Sequence, residues 1–234
     1  MKTIPKNAPV QSGNKDRLKA TRGQARFAFT VLLIINILNY ADRSVLSAVG
    51  PILQKDLSLT DFQLGLLGSS FLLIYAIATL PLGIWADKSP RKNIVALCVG
   101  IWSVATTMAG FVGNFLQLFG LRSILGIGEA GYAPASLSMI GDYFPKERRG
   151  RVMSLWSIGN LIGTALGLIM GGLVAQHFGW RWAFYIVGIP GLITAFLIWR
   201  ATEPARGVYD NEESEDGGQS VSVTHGSIGP PAAE

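Results

Sequence analysis

Four ionisable residues interrupt apolar sequence. Asp42 and Arg43 sit inside "ILNYADRSVL" (Ile37–Leu46), and Arg122 and Glu129 lie seven residues apart in a second apolar run. In a low-dielectric setting burial disfavours a carboxylate's charge, and a nearby guanidinium restores it. Arginine does not release its own proton, so it acts as a movable counter-charge. Its planar fork also suits carboxylate and phosphate ligands. The chemistry open to Asp42, Arg43, Arg122 and Glu129 is therefore a proton and charge switch that an anion can enter.

Such groups are expensive. A charge at the centre of a bilayer costs at least about 2.5–3.5 kcal/mol on insertion scales. The plain alternative is a static network that fixes helix packing. Buried ion pairs are poor stabilisers, because desolvation offsets their attraction. Intramembrane ionisable residues commonly mark ion or proton paths.

Helix geometry assigns directions. At 100° per residue, Asn36, Asn39, Tyr40, Arg43 and Ser47 share about a third of the circumference. They form a polar stripe facing the bundle interior or a cavity. Asp42 points about 100° away from Arg43, and adjacent helical residues do not face each other. At 1.5 Å rise per residue, Asp42 lies roughly 22 Å above Phe27 and Arg122 roughly 10 Å below Phe115. In a core of about 30 Å those heights are similar. The expectation is that Asp42 pairs with Arg122, and that Arg43 reaches toward Glu129. Asn39, Tyr40, Arg43, Glu129 and Tyr132 are the expected substrate path. Tyr75 is a lining or packing residue.

The elements that must hold these residues are membrane helices. The chain has 234 residues, 49% hydrophobic and only 15% charged, whereas soluble domains carry about 25% charge. Spans of about 20 apolar residues fall at Phe27–Gly50, Gln63–Trp85, Ile94–Val112, Phe115–Phe144, Val152–Gln176 and Trp182–Trp199. The fold class is an all-α membrane protein with six transmembrane helices. Basic residues collect on alternate connections: Lys88, Arg91 and Lys92; Lys146, Arg148, Arg149 and Arg151; Arg200 and Arg206. The positive-inside rule then puts both termini in the cytoplasm of a multi-pass protein of the inner or plasma membrane. Residues 1–26 read as a basic cytoplasmic segment without a signal-peptide core. Residues 27–204 are the bundle. Residues 205–234 are too polar to fold and read as a disordered tail or linker.

Gly159, Gly163, Gly167 and Gly171 recur at four-residue spacing in span five, which lets helix backbones approach closely. They serve packing, and compatibly with that the helix that carries them lines a moving interface between two bundles. Pro81, Pro134 and Pro190 are expected to kink or break their helices. The single Cys98 and the two histidines, His177 and His225, offer no metal site, and no cofactor or phosphate-loop motif is present. A basic arm before a membrane helix is the ordinary topogenic signal, so no nucleic-acid partner is expected.

"GIWADKSPRK" (Gly83–Lys92) contains more than topogenic charge. Gly83, Asp87, Lys88, Arg91 and Lys92 resemble the signature loop of the major facilitator superfamily, with Pro90 where that family usually has glycine. Arg122, Gly126 and Gly128 resemble its Arg-x-x-x-Gly-x-Gly motif. With "NYADR", "GEAGYAPAS", "DYFPKERRGR" and "EPARG", the chain looks most like the Spinster-like subgroup, exporters of lysophospholipids and sphingoid phosphates. The organic-anion and hexuronate symporters share "NYxDR" and "GEA". The resemblance implies a twelve-helix fold in two six-helix halves, with substrate between them and this chain supplying the first. It implies proton-coupled switching at the acids and arginine of the first and fourth spans. A second half, from a longer chain or a partner, is expected. A non-transporting fragment or subunit is the alternative, and an enzyme is not.

Overall fold

The computed structural model describes residues 20–209. Most of the expected basic segment (1–26) and of the expected disordered tail (205–234) lies outside the described residues. Among the described residues, seven helices make six spans: α1 (Arg22–Asp56), α2 (Asp61–Lys88), α3 (Arg91–Ala109), α4 (Phe115–Ala130), α5 (Tyr132–Tyr143), α6 (Lys146–Phe178) and α7 (Trp180–Arg200). No strand occurs among the described residues.

Local sequence starts these helices. Thr21 with Gln24, and Thr60 with Gln63, form capping boxes at α1 and α2. Each satisfies two backbone groups that a helix start leaves open. Asn114 caps α4 by accepting from the Gln117 amide. The helices run past the apolar stretches. α1 begins at Arg22 and reaches Asp56, and α6 has 33 residues, about 50 Å of helix and more than a bilayer core requires. Alone, α4 and α5 are too short to cross.

The fourth span is broken between Ala130 and Tyr132, near Pro134, where a kink or break was expected. Pro134 has no amide hydrogen, so the carbonyl four residues earlier loses its helical partner, and the ring crowds the same turn. Gly131 occupies the joint, and its amide bonds the Glu129 carbonyl. Pro81 and Pro190 do not break their helices, nor does Pro51.

Packing is dominated by α1 on α6 and by α3 on α7, while α1 and α2 scarcely touch. The glycine stripe explains the first contact. A Cβ at Gly163 would run into the Ile37 carbonyl and Tyr40, and one at Gly167 would strike Ala41 and Ser44. Gly159 faces Leu33 and Asn36, and Gly171 faces Ala48 and Val45. The stripe is thus the packing seam of α6 on α1.

Both ends of the bundle are tied. At the end rich in basic residues, Arg91 is 3% exposed. Its amide donates to Glu203 Oε1 at 2.8 Å, and its guanidinium reaches Asp142, Ser138 Oγ at 2.9 Å and the Pro204 carbonyl at 3.1 Å. The Gly207 amide donates to Asp142 Oδ1 at 2.9 Å. Arg206 donates to the carbonyls of Ala86, Asp87 and Ser89, closing the end of α2. Residues 205–207, expected to belong to the tail, are therefore fastened to the bundle. At the other end Asp56 Oδ2 accepts from Trp180 Nε1 at 2.8 Å and Arg181 Nη1 at 3.0 Å.

Two outcomes follow from this packing. Gly163→Ala should lower stability by about 1–3 kcal/mol, the usual cost of overpacking. Gly172→Ala, where an added Cβ meets nothing within 4 Å, should not. Thermal unfolding in detergent compares them, and equal losses would count against the packing account. At the Asp56 cluster, the Trp180 hydrogen bond and then the Arg181 hydrogen bond hold the carboxyl below its ordinary value. A depressed folded pKa contributes stability above the unfolded value of about 3.9, and that stability is lost as pH falls through the folded value. The small thermal gap between wild type and Asp56→Ala should be present at neutral pH and close in strong acid.

Candidate functional site

The buried charges lie where α1, α3 and α4 face one another. Asp42 and Glu129 are both 0% exposed and Arg122 is 4% exposed. Arg43 Nε donates to Glu129 Oε2 at 2.6 Å, the ion pair that joins α1 to α4. A third of the Arg43 side chain, 31%, remains exposed.

Asp42 has a different partner from the one expected. Its Oδ2 accepts from Thr106 Oγ1 of α3 at 3.0 Å. Among the described residues no ion pair within 4.0 Å joins it to Arg122. Matching heights fixed depth but not direction: α1 and α4 do not pack backbone to backbone. Arg122 still stands close enough for its charge to act on both Asp42 and Glu129. Asp42 Oδ1 and Arg122 Nε are buried without a hydrogen-bond partner among the described residues. Glu129 Oε1 is likewise without one, and each such group carries a desolvation penalty of about 1–3 kcal/mol or more.

The polar stripe of α1 is graded along its length. Asn36 and Asn39 are buried, Tyr40 and Arg43 are half-buried, and Ser47 is exposed. Asn36 Nδ2 donates to the Trp156 carbonyl at 2.9 Å and to Asn160 Oδ1 at 2.5 Å. Its Oδ1 accepts from Tyr132 at 3.1 Å. Tyr132 is 2% exposed and is closed between the rings of Trp102 and Trp156, 5.3 and 6.0 Å away. Tyr132 and Asn39, both expected in the substrate path, are buried in this conformation.

The two glycines of the span-four motif seat α4. A Cβ at Gly126 would meet the Phe71 carbonyl at 2.9 Å, and one at Gly128 would meet the Trp102 amide at 2.8 Å. Glu129 follows directly, and the α4–α5 joint lies two residues beyond it. In the signature loop, Arg91 and Lys92 bond to the chain beyond α7, Lys92 through the Ala201 carbonyl at 3.0 Å. Asp87 and Lys88 are exposed. A Cβ added at Gly83 would meet nothing within 4 Å among the described residues.

Sequence reasoning missed Thr106, Phe71, Asn160 and the Asp142–Arg91–Glu203 network. Asp142 and Glu203 lie in quoted motifs, "DYFPKERRGR" and "EPARG", so their signal was present. Thr106 left only a polar residue in an apolar span.

An all-helical, six-span bundle with ionisable groups buried in its interior defines a polytopic membrane protein of the kind that forms half of a larger helical fold. The chain belongs to the Major Facilitator Superfamily, whose sequence model matches residues 32–230. It is 32% identical over 205 residues to protein spinster of Drosophila melanogaster, covering 87% of this chain and 33% of that protein. It is 31% identical over 166 residues to a hexuronate transporter of Bacillus subtilis, covering 71% and 39%. A crystal structure of a bacterial homolog to the human lysosomal transporter Spinster, in an inward-facing and occupied conformation, matches with a TM-score of 0.75 and 33% identity. That match covers 82% of this chain and 48% of that one. The chain thus spans half or less of the length of these relatives.

Thr106→Val removes the hydroxyl that donates to Asp42 with little change of shape. It should destabilise the bundle by about 1–3 kcal/mol. The loss should be non-additive with Asp42→Leu in thermal unfolding. Additive losses would mean the bond is incidental.

Proposed function

We propose that this chain is the first half of a secondary active transporter. It works by alternating access with a second six-helix half, and it moves an amphipathic or anionic organic substrate such as a lysolipid. The observation that carries the reading is the Arg43–Glu129 ion pair, buried at mid-span between two helices that otherwise stand apart. Rocking of one half against another around a midplane site is the general mode of such folds. Arg43 moves between Glu129 and a substrate anion, and Arg122 supplies the second positive charge beside Asp42. When an arginine leaves, its acid takes a proton, which couples protons to substrate. Tyr40 shares the exposed side of the path. The basic end, with Lys88, Lys92 and Arg148, is the cytoplasmic face of an inner or plasma membrane, and both termini lie there.

A second reading is an organic-anion symporter of the hexuronate type, favoured by the similarity to the Bacillus subtilis protein. A third is a subunit that does not transport without its second half. Uptake of labelled lysolipid and labelled hexuronate, by the chain alone and with a second half co-expressed, separates the three.

In the complete two-half protein, Glu129→Gln and Asp42→Asn should each slow transport by about tenfold or more, the effect of losing 1.4 kcal/mol of coupling. Both should flatten its pH dependence. Undiminished, pH-dependent transport by both variants would overturn the proton role.

A further inference from the structure

Arg43 is held by more than Glu129. Its guanidinium carbon lies 4.9 Å from the centre of the Tyr75 ring, 5.3 Å from Phe71 and 5.6 Å from Tyr40. All three fall inside the range of about 6 Å for cation–π attraction. Phe71 and Tyr75 are one turn apart on α2, with ring centres separated by 5.9 Å, and so make one wall. Tyr40 lies one turn before Arg43 on α1. Because α1 and α2 scarcely touch elsewhere, this contact does not arise from close packing of the two helices.

The wall is placed by the helix that carries Glu129. A Cβ at Gly126 would meet the Phe71 carbonyl at 2.9 Å and the Tyr75 amide at 3.2 Å. The bare glycine therefore lets α4 press against the turn that bears both rings. Three residues later the same helix presents Glu129, to which Arg43 donates through Nε. One helix thus sets both the carboxylate and the rings, and the carboxylate takes only one edge of the guanidinium.

We propose that Phe71 and Tyr75, with Tyr40, are positioning residues. They form an aromatic cradle that keeps the Arg43 guanidinium in place when Glu129 no longer holds it. An arginine freed from its carboxylate regains rotamer freedom and swings. A cradle of ring faces removes that freedom and keeps the fork aimed. Its role in binding an organic phosphate or carboxylate rests on the function proposed above. The cradle itself does not.

Two measurements separate these claims. The first follows order at the Arg43 side chain by 15N relaxation, with guanidino-labelled arginine in the chain in nanodiscs. In Glu129→Gln the Arg43 Nε–H should stay ordered. In Glu129→Gln with Phe71→Leu its order parameter should fall below about 0.6, the flexible range. Phe71→Trp and Tyr75→Phe, which keep a ring, should preserve order. Loss of order in Glu129→Gln alone, or equal order with Leu and Trp at position 71, would overturn the cradle. The second titrates hexyl phosphate calorimetrically. Phe71→Leu should weaken binding about two- to thirtyfold and Phe71→Trp should not. Equal weakening by both would show a packing role and overturn the cradle's part in binding. If Arg43→Gln binds the phosphate as wild type does, the anion-site reading falls, while the relaxation result still decides the cradle.

Discussion

The bundle depends on one contact in hydrocarbon, the ion pair of Arg43 with Glu129. Glu129 is fully enclosed and Arg43 mostly so, and a lone buried charge is more costly than a paired one. The two residues sit on helices that do not pack along their backbones, so their neighbours must bring them together. Gly126 and Gly128 do this from the side of α4, by seating it against α2 and α3. Gly163 and Gly167 do it from the side of α1, by letting α6 fix that helix backbone to backbone. Four absent side chains thus set the positions of two charged ones.

The same economy governs the break in span four. Glu129 closes α4, Gly131 makes the joint, and Tyr132 opens α5. α5 is then tied at both ends, to Asn36 through Tyr132 and to Arg91 through Asp142. The joint lies between a buried acid and a short rigid helix whose far end belongs to the basic-end network. Continuous helix would have satisfied the backbone better. The interruption instead separates the part of the span that carries charge from the part that is fastened to α3 and to the chain beyond α7.

Much of this was legible in the sequence, and what was missed shares a cause. Six apolar runs gave the spans, because bilayer thickness dictates their length. The 100° period separated Asp42 from Arg43, and depth along the helices suggested two pairings. The structure makes Arg43 with Glu129, whereas Asp42, matched by height to Arg122, is given to Thr106. Helical rise encodes depth, whereas direction around the bundle depends on which helices pack, and that was set by glycine seats whose partners the sequence does not reveal. Arg91 was read as loop charge for a similar reason. Its burial comes from Asp142 and Glu203, each far along the chain, and only the folded path brings them together. The break at Gly131 was half legible: Pro134 announced a disturbance, but Pro81 and Pro190 announced the same and their helices continue.

The unsatisfied features of α2 point the same way as the proposed second half. Its side chains Leu72, Leu73, Ile77 and Leu80 are all exposed. Lipid suits such a face, so apolar exposure alone decides nothing. Gly83 and Asp87 are different. A glycine with open space beside it gives up helix stability of about 1 kcal/mol relative to alanine with no close neighbour to show for it. Among the described residues no donor reaches the Asp87 carboxylate. Both residues lie at the basic end of the helix whose aromatic wall meets Arg43. A second bundle docking there would approach along Gly83, brace on Asp87, and reach Arg43 through α2, so the surface of assembly and the charge cluster would share one helix.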